Sequence, residues 1–165
     1  MGPAGGEAYG GGMTDRVVRR AVVDDAELVA ELLHAFNTEF DTPSPGAPAL
    51  AGRLRELLAE PHTFALLGGD PAVGVALVTL RSNVWYPGPV ALLDEMYVAP
   101  HARGAGIGGA IVDRLVAECR RAGVSAIEIN VDEGDVDAQR FYERHGFFGA
   151  DPDTGERAFY FSQEL

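Results

Sequence analysis

A glycine-rich segment that follows two adjacent carboxylates is the part of this sequence best suited to chemistry. Asp94 and Glu95 lie in the apolar run 90–98, and the turn Arg103-Gly104-Ala105-Gly106-Ile107-Gly108 then opens an amphipathic stretch. Backbone N–H groups at the start of a helix lack intrahelical acceptors and lie at the positive end of the helix dipole. Glycine lets this backbone approach phosphate oxygens closely because it has no Cβ. The segment is therefore predicted to bind the pyrophosphate of a cofactor.

A dinucleotide-binding loop is the first alternative. Three glycines fit its G-x-G-x-x-G pattern: Gly104, Gly106 and Gly109. Asp132 follows the next predicted strand, where a ribose-binding acid could lie. In that motif, however, the first glycine directly follows its strand, whereas residues 99–103 intervene here. The chain beyond residue 130 is also too short to complete a doubly wound sheet, so this alternative is the less favoured one.

Two motifs in this order resemble the GNAT superfamily of N-acetyltransferases. Residues 103–108 match the family's Q/R-x-x-G-x-G/A phosphate loop, and residues 138–147 match its A-x-x-F/L-Y-x-x-x-G-F helix. The preceding Leu-Asp-Glu-Met-Tyr-Val-Ala-Pro is typical of the family's fourth strand. The resemblance covers residues 16–161 and is stronger after Leu92. It implies acetyl-CoA as cosubstrate and a mixed α/β fold, with a mostly antiparallel central sheet, one splayed parallel strand pair and about four flanking helices.

The resemblance also implies catalytic roles. Acids at this position of the fourth strand often serve as the general base, and Glu95 is preferred over Asp94 for its longer side chain, although a carboxylate that only orients the substrate is equally compatible. Because neighbours in a strand point to opposite faces, only one of the two is expected to face the cleft. Tyr142 is the implied donor of a proton to the departing CoA thiolate, since a tyrosine hydroxyl can donate a hydrogen bond.

Cofactor contacts are implied at three places. The main chain of Met96, Tyr97 and Val98 is expected to pair with the pantetheine arm like an added strand. The phosphate loop is expected to hold the pyrophosphate. The remaining implied contacts lie after the next strand and on the last helix: Asn130, Asp135 and Ala138. Family members commonly carry asparagine where this chain has Asp135, which can accept a hydrogen bond but cannot donate one; Asn130 either supplies the missing amide or simply ends its strand.

The acceptor site is expected between the first two helices and the sheet. In GNAT proteins these helices and their link form one wall of that site. Four residues of the wall are candidate substrate contacts: Phe36, Glu39, Phe40 and Asp41. Core packing for the aromatics and solvation for the acids are the competing interpretations. Trp85 and Tyr86, on a predicted loop, either bind substrate or cover the sheet.

Amino-acid composition limits the classes of molecule that this protein is expected to bind. The 165 residues suit one domain, predicted for residues 16–165, and the six glycines of residues 1–15 predict a flexible tail. A net charge of −12 argues against nucleic-acid binding and weakly favours cationic substrates. Neither a run of about 18 apolar residues nor a signal-peptide pattern occurs, so a cytoplasmic protein without membrane contact is expected. Its expected partner is a small-molecule or peptide amine, and a homodimer is compatible with the sequence.

The single cysteine bears on the mechanism. Cys119 continues the apolar stripe of Ile107, Ile111 and Leu115, which predicts a core position rather than a nucleophile. Direct attack of the amine on the thioester in a ternary complex is therefore preferred over a covalent acyl-enzyme. The four histidines lack metal-ligand spacing, so no metal is predicted. The alternative from another class is an acyl-CoA-binding sensor without turnover.

Apolar periodicity predicts the elements that hold these residues. Strands are predicted at 16–20, 63–67, 72–81, 90–98 and 124–131. Helices are predicted after the Asp24-Asp25 cap and at 49–59, 106–122 and 135–144. A closing hairpin is predicted from 147–148 and 157–161 around Asp153-Thr154-Gly155.

Overall fold

The structure, a computed structural model, describes residues 16–165, so the predicted tail at 1–15 lies outside the described residues. The strands are β1 (Val18–Arg20), β2 (Thr63–Gly68), β3 (Gly74–Arg81), β4 (Val90–Val98) and β5 (Ala126–Ile129). The helices are α1 (Ala26–Glu39), α2 (Ala47–Ala59), α3 (Ile107–Arg121) and α4 (Val136–Arg144). The longest of them, α3, has 15 residues, and no helix in the described part of the chain is long and apolar enough to cross a membrane.

The sheet has the strand order β1-β2-β3-β4-β5. All neighbouring strands are antiparallel except β4 and β5, which pair in parallel from Val90 with Ala126 to Leu93 with Ile129. A parallel pair needs a long crossover, which α3 supplies. The predicted mixed sheet is confirmed, and the doubly wound dinucleotide fold is wrong. Because β4 continues to Val98 after pairing with β5 stops, the two strands diverge and open a cleft.

The core lies on both faces of the sheet. Every residue of β2 is buried, and alternate side chains point to opposite sides. Leu66 packs with α3 and α4, whereas Leu67 packs with α1 and α2. Two glycines that pair across β2 and β3, Gly68 and Gly74, allow α3 to approach the sheet: a Cβ on either would lie 2.9 Å from Ile111.

A β-bulge interrupts β4 beside the cleft. Leu77 of β3 lies opposite Glu95 and its neighbour Val78 lies opposite Leu93, which leaves Asp94 as the extra residue. Regular alternation would place residues 93 and 95 on one face. Instead Leu93 and Met96 share the face covered by α3, while Tyr97 packs on the α1 side. The bulge therefore inverts the side-chain alternation of the last half of β4.

Most predicted boundaries are within two residues of the observed ones. Helix α2 begins at Ala47 rather than at residue 49, because Pro48 occupies the first turn, where no N–H acceptor is needed. Strand β5 is shorter than predicted.

The predicted closing hairpin is wrong. The described residues 147–165 contain a turn in which the Asp151 N–H bonds to the Glu156 carbonyl, but no strand. The Asp151 carboxylate accepts the N–H groups of Asp153 and Thr154, so this turn forms from local contacts alone. The aromatics after the turn, at residues 159–161, are exposed, Phe161 to 89%, and two strands without a packed face do not hold together.

Candidate active site

Two adjoining cavities meet where β4 diverges from β5. The smaller cavity, of about 310 Å³, lies between the last half of β4, the end of α1 and the start of α4. The larger cavity, of about 1100 Å³, lies between the glycine loop, the start of α3 and one face of α4. Residues that line both cavities form the boundary between them: Phe40, Met96, Val98, Arg103, Asp132, Asp135, Ala138 and Tyr142.

Asp94 and Glu95 both line the smaller cavity. The prediction that only one could face the cleft is wrong, because the bulge breaks the alternation between them. Glu95 lies opposite Leu77 on the α1 side of the sheet, and Asp94 accepts a hydrogen bond of 2.6 Å from Thr79, which alternation places on the same side. The two carboxylates are thus neighbours in one site.

Their environments nevertheless differ. Asp94 is held by the Thr79 hydroxyl, whereas within residues 16–165 the Glu95 carboxylate has no hydrogen-bond partner. Solvent reaches Glu95, but the cavity walls desolvate it in part, and this burial together with the charge of Asp94 raises the pKa of the Glu95 carboxyl. A carboxylate with a raised pKa and a free lone pair is suited to accept a proton.

Tyr142 lies across the cleft from these acids. Its side chain is 9% exposed and lines both cavities. Burial, followed by the charge of Asp135, raises the pKa of the Tyr142 hydroxyl to about 12. The hydroxyl donates a hydrogen bond to the Met96 sulfur over 3.6 Å. Tyr142 therefore remains protonated and directs its donor toward a sulfur at the boundary of the two cavities.

The glycine loop has the conformation of an anion-binding turn. Gly104 (φ +77°) and Gly106 (φ +84°) adopt left-handed backbone angles that glycine favours. The Ala110 N–H bonds to the Gly106 carbonyl, so the N–H groups of residues 107–109 precede the first intrahelical bond and lack an intrahelical acceptor. Gly104 and residues 106–109 line the larger cavity, whereas Ala105 does not; its carbonyl accepts a hydrogen bond of 3.0 Å from Arg16.

Arg103, a predicted cofactor contact, lines both cavities, and its side chain is held by neighbouring residues. Its two terminal nitrogens each donate a 2.8 Å hydrogen bond to Glu39 on α1, and its Nε donates to the Val98 carbonyl over 2.9 Å. The guanidinium also lies 5.7 Å from the centre of the Tyr97 ring. Its hydrogen bonds are therefore made with α1 and β4.

The predicted cofactor contacts after β5 lie in the cleft. Asn130 lines the smaller cavity, and Asp135 and Ala138 line both. The Asp135 carboxylate accepts the Ala138 N–H over 2.9 Å and so caps the start of α4. The hydrogen bond that this acid accepts in the structure is thus from backbone.

The predicted acceptor wall is brought to the cleft only in part. Phe36 stacks on Tyr97 with ring centres 5.5 Å apart and meets Phe40 edge to face; all three line the smaller cavity. Asp41 lines neither cavity.

Trp85 and Tyr86 also lie outside both linings. Their loop is ordered by Asn83, whose side-chain oxygen accepts the N–H groups of both aromatics. Trp85 is 87% exposed. Their role as substrate contacts stays a prediction.

Several lining residues were missed by the sequence analysis. Phe141 and His145 line the larger cavity together with Ala138 and Tyr142. These four positions have the spacing i, i+3, i+4 and i+7, which places them on one face of a helix. That spacing was a signal from which the α4 wall could have been found.

The smaller cavity is acidic. Its lining carries four carboxyl side chains: Asp94, Glu95, Asp132 and Asp135. Arg103 is the cation among its lining residues, and its charge is already paired with Glu39. A positively charged group is therefore favoured in this cavity.

The mixed sheet and the cleft at its diverging strands define an acyltransferase fold. Residues 27–147 match the model of the acetyltransferase (GNAT) family, and the chain belongs to this family of N-acyltransferases. A crystal structure of a protein from Arthrobacter sp. FB24, assigned as an acetyltransferase, is 48% identical in sequence and superposes with a TM-score of 0.84. The match covers 90% of this chain and 96% of the Arthrobacter chain.

Two curated relatives are also acetyltransferases. An aminoglycoside N(6')-acetyltransferase type 1 of Serratia marcescens is 32% identical over 111 residues, 64% of this chain and 76% of the relative. A mycothiol acetyltransferase of Beutenbergia cavernae is 35% identical over 71 residues, which are 41% of this chain but 24% of that protein. The chain thus matches about a quarter of the length of this second relative.

Proposed function

We propose that this protein transfers the acetyl group of acetyl-CoA to a primary amine by direct attack in a ternary complex. The observation that carries the proposal is that Glu95 and Tyr142 line one cavity, one with an unpartnered carboxylate of raised pKa and the other with a donor hydroxyl. These are the proton acceptor and the hydrogen-bond donor that acyl transfer from a thioester to an amine requires.

The acceptor amine must first lose a proton. A free alkyl ammonium titrates near ~10, so at neutral pH it needs a base. Glu95 accepts that proton directly or through one water, and the freed nitrogen attacks the thioester carbonyl. Asp94, held by Thr79, stays beside it as a negative charge that attracts the ammonium. The alternative assignment, with Asp94 as the base, is tested below.

The donor is expected to lie along the boundary of the two cavities. The N–H groups of residues 107–109, which lack an intrahelical acceptor at the start of α3, would hold the pyrophosphate. The edge of β4 that β5 leaves unpaired, from Met96 to Val98, would take the pantetheine arm, and an N–H of this edge would donate to the carbonyl oxygen as it becomes negative. Asn130, Asp135 and Ala138 line the adjoining wall.

Tyr142 is assigned the role of stabilising the departing thiolate. A thiol titrates near ~8.5, well below the pKa of about 12 of this hydroxyl, so the sulfur leaves as a thiolate that accepts a hydrogen bond from Tyr142. As the C–S bond breaks, the attacking nitrogen gives its second proton to water, and the released thiolate takes up a proton from solvent at neutral pH. Cys119 takes no part. It is buried on the sheet-facing side of α3, outside both cavities, and burial raises the pKa of its thiol to about 11. This environment supports direct transfer rather than an acyl-enzyme.

The acceptor is inferred to be a cationic small molecule. Four acids line the smaller cavity, and a relative that the chain covers to 76% is an aminoglycoside acetyltransferase. A peptide amine is the second candidate. Location in the cytoplasm and a possible homodimer stay predictions.

A thiol-release assay with acetyl-CoA and a panel of amines tests this function. The panel contains an aminoglycoside, a polyamine, free amino acids and a peptide with a free N-terminus. We expect saturable release of CoA thiol with at least one polycationic amine and weaker release with zwitterionic amino acids. The matched control is Tyr160→Phe, since Tyr160 is exposed, lines neither cavity and is expected to leave turnover unchanged. Binding of acetyl-CoA without turnover of any amine would instead indicate a sensor module.

A further inference from the structure

Glu39 and Arg103 join two parts of the protein that lie 64 residues apart in sequence. Glu39 is the last residue of α1, and Arg103 opens the glycine loop. Two parallel 2.8 Å hydrogen bonds connect the guanidinium to the carboxylate, the geometry in which arginine binds a carboxylate most specifically. Both residues are partly shielded, with 28% of the Glu39 side chain and 45% of the Arg103 side chain exposed.

We propose that Glu39 is a positioning residue. Through Arg103 it clasps the end of α1 to the glycine loop and thereby sets how tightly the smaller cavity binds the acceptor amine. This inference rests on the proposed transfer to an amine. It differs from the interpretation of the loop motif in which Arg103 binds the pyrophosphate, and it assigns the guanidinium to the acceptor wall instead.

The contacts around Arg103 favour a fixed clasp. Besides Glu39, the side chain donates to the Val98 carbonyl over 2.9 Å and lies over the Tyr97 ring. The hydrogen bond with Arg103 lowers the pKa of the Glu39 carboxyl, so the pair is fully ionised at neutral pH. A move of the guanidinium toward a phosphate would break these contacts and remove the arginine partner of Glu39.

The clasp holds the aromatic residues that face the acceptor. Phe36 lies one turn before Glu39 on α1 and stacks on Tyr97, while Phe40 directly follows Glu39 and meets Phe36. Phe36 and Phe40 line the smaller cavity, and Phe40 also borders the larger one. Release of Glu39 would free the end of α1 and let both rings move. We therefore expect the acceptor to bind less tightly while the chemistry on β4 and α4 is unchanged.

The kinetic test uses Glu39→Gln, Arg103→Gln and the double variant. Because partly exposed ion pairs have modest strength, we expect each single change to raise the acceptor KM by about threefold to fivefold, with kcat within about twofold. The double variant should match the singles, because either change removes the same interaction. Glu27→Gln is the matched control: it breaks the exposed Glu27–Arg55 ion pair between α1 and α2, away from the cavities, and should leave KM unchanged.

A second acetyl donor distinguishes the clasp with Glu39 from pyrophosphate binding as the role of Arg103. S-Acetylpantetheine carries the thioester but no pyrophosphate. The clasp requires Arg103→Gln to raise the acceptor KM equally with acetyl-CoA and with S-acetylpantetheine, and to leave calorimetric acetyl-CoA binding within about twofold of wild type. An Arg103→Gln defect confined to acetyl-CoA, with Glu39→Gln normal, would overturn the proposal and return the guanidinium to the phosphate site.

Hydrogen exchange tests the clasp without turnover. The Phe40 N–H bonds to the Phe36 carbonyl at the end of α1, and Glu39→Gln should speed exchange at residues 36–42 while Glu27→Gln leaves it unchanged there. Unchanged exchange in Glu39→Gln overturns the clasp even if the protein acetylates amines. If the wild type acetylates none of the panel but the exchange result holds, the proposed function fails and the clasp stands.

Discussion

The Tyr142 hydroxyl is 3.6 Å from the Met96 sulfur, across the gap between α4 and the unpaired edge of β4. Both side chains line both cavities, so a buried hydrogen-bond donor already faces a sulfur where the larger cavity meets the smaller one. Phe141 and Phe147 pack edge to face against the Tyr142 ring and fix its direction. A thiolate leaving at this boundary would meet an aligned hydrogen-bond donor.

Removal of that hydroxyl is the first prediction. Tyr142→Phe keeps the ring and its packing, so we expect the acetyl-CoA Kd to be unchanged while kcat falls by roughly 10²-fold. Steady-state kinetics and calorimetry on the same preparation measure the two quantities. Tyr160→Phe, which alters a 74% exposed tyrosine, is the control. Wild-type turnover in Tyr142→Phe would show that the hydroxyl is only structural.

The pH dependence of kcat/KM tests the base. The pKa of the Glu95 carboxyl is raised, so we expect kcat/KM to climb as pH increases through that value and the carboxylate forms. Glu95→Gln should remove this acidic limb, and its deficit should shrink at high pH, where the amine arrives deprotonated. Asp94→Asn removes the neighbouring charge that helps to raise this pKa, so its acidic limb should shift to lower pH. Glu60→Gln, directly after the end of α2 and outside both cavities, serves as control.

If the limb disappears in Asp94→Asn and persists in Glu95→Gln, Asp94 is the base and the assignment is reversed.

The glycine loop gives a prediction on donor binding. Gly104→Ala meets no atom within 4 Å but introduces a Cβ at φ +77°, which strains a left-handed backbone by about 1–2 kcal/mol. We expect weaker acetyl-CoA binding, by about fivefold or more, because the strained loop relaxes away from the anion-binding conformation. Gly106→Asp should abolish binding through its added negative charge.

Gly134→Ala is the control for this prediction, since it lines the same cavity with open space around it and no left-handed angle. Calorimetric titration with acetyl-CoA and with NADH completes the test: tight NADH binding by the wild type, with none of acetyl-CoA, would contradict the assigned donor.

A fourth prediction concerns stability against acid. Two 2.7 Å hydrogen bonds from Arg19, and one from the Val22 N–H, hold the pKa of the Asp25 carboxyl at about 2, below its usual 3.8. The unfolded chain takes up this proton more readily, so the carboxylate stabilises the fold above about pH 4 and loses that effect as pH falls toward 2.

Asp25→Asn should therefore lower the Tm at pH 7 by a few degrees, and the difference from wild type should narrow below pH 4. Thermal unfolding between pH 7 and pH 3 measures it, with Asp24→Asn as the neighbouring control. A constant difference at all pH values would exclude the charge of Asp25 as its origin.

The features that could be predicted from the sequence are those set by local chemistry. Gly104 and Gly106 mark a turn that only their backbone freedom allows, and the α3 stripe that ends at Cys119 follows from helical periodicity. The boundary residue Tyr142 was found because its motif is contiguous.

The features that could not be predicted depend on contacts across long loops. Nothing around Asp94 signals a bulge, since the extra residue is defined by the register with Leu77 on β3. The Glu39–Arg103 pair joins residues that only the packing of α1 on the sheet brings together. The closing hairpin failed for a related reason: its turn is local and present, whereas strands require a distant surface to bury Phe161.

Strand β4 has one continuous backbone but two opposite side-chain phases, joined at the bulge. If Asp94 entered the regular ladder opposite Leu77, every hydrogen-bonded pair before it would stay intact and yet Met96 and Tyr97 would exchange sides. The aromatic ring would then face α4 and the sulfur would face α1. The exclusion of Asp94 from the ladder therefore decides which side chains of β4 meet at the cleft.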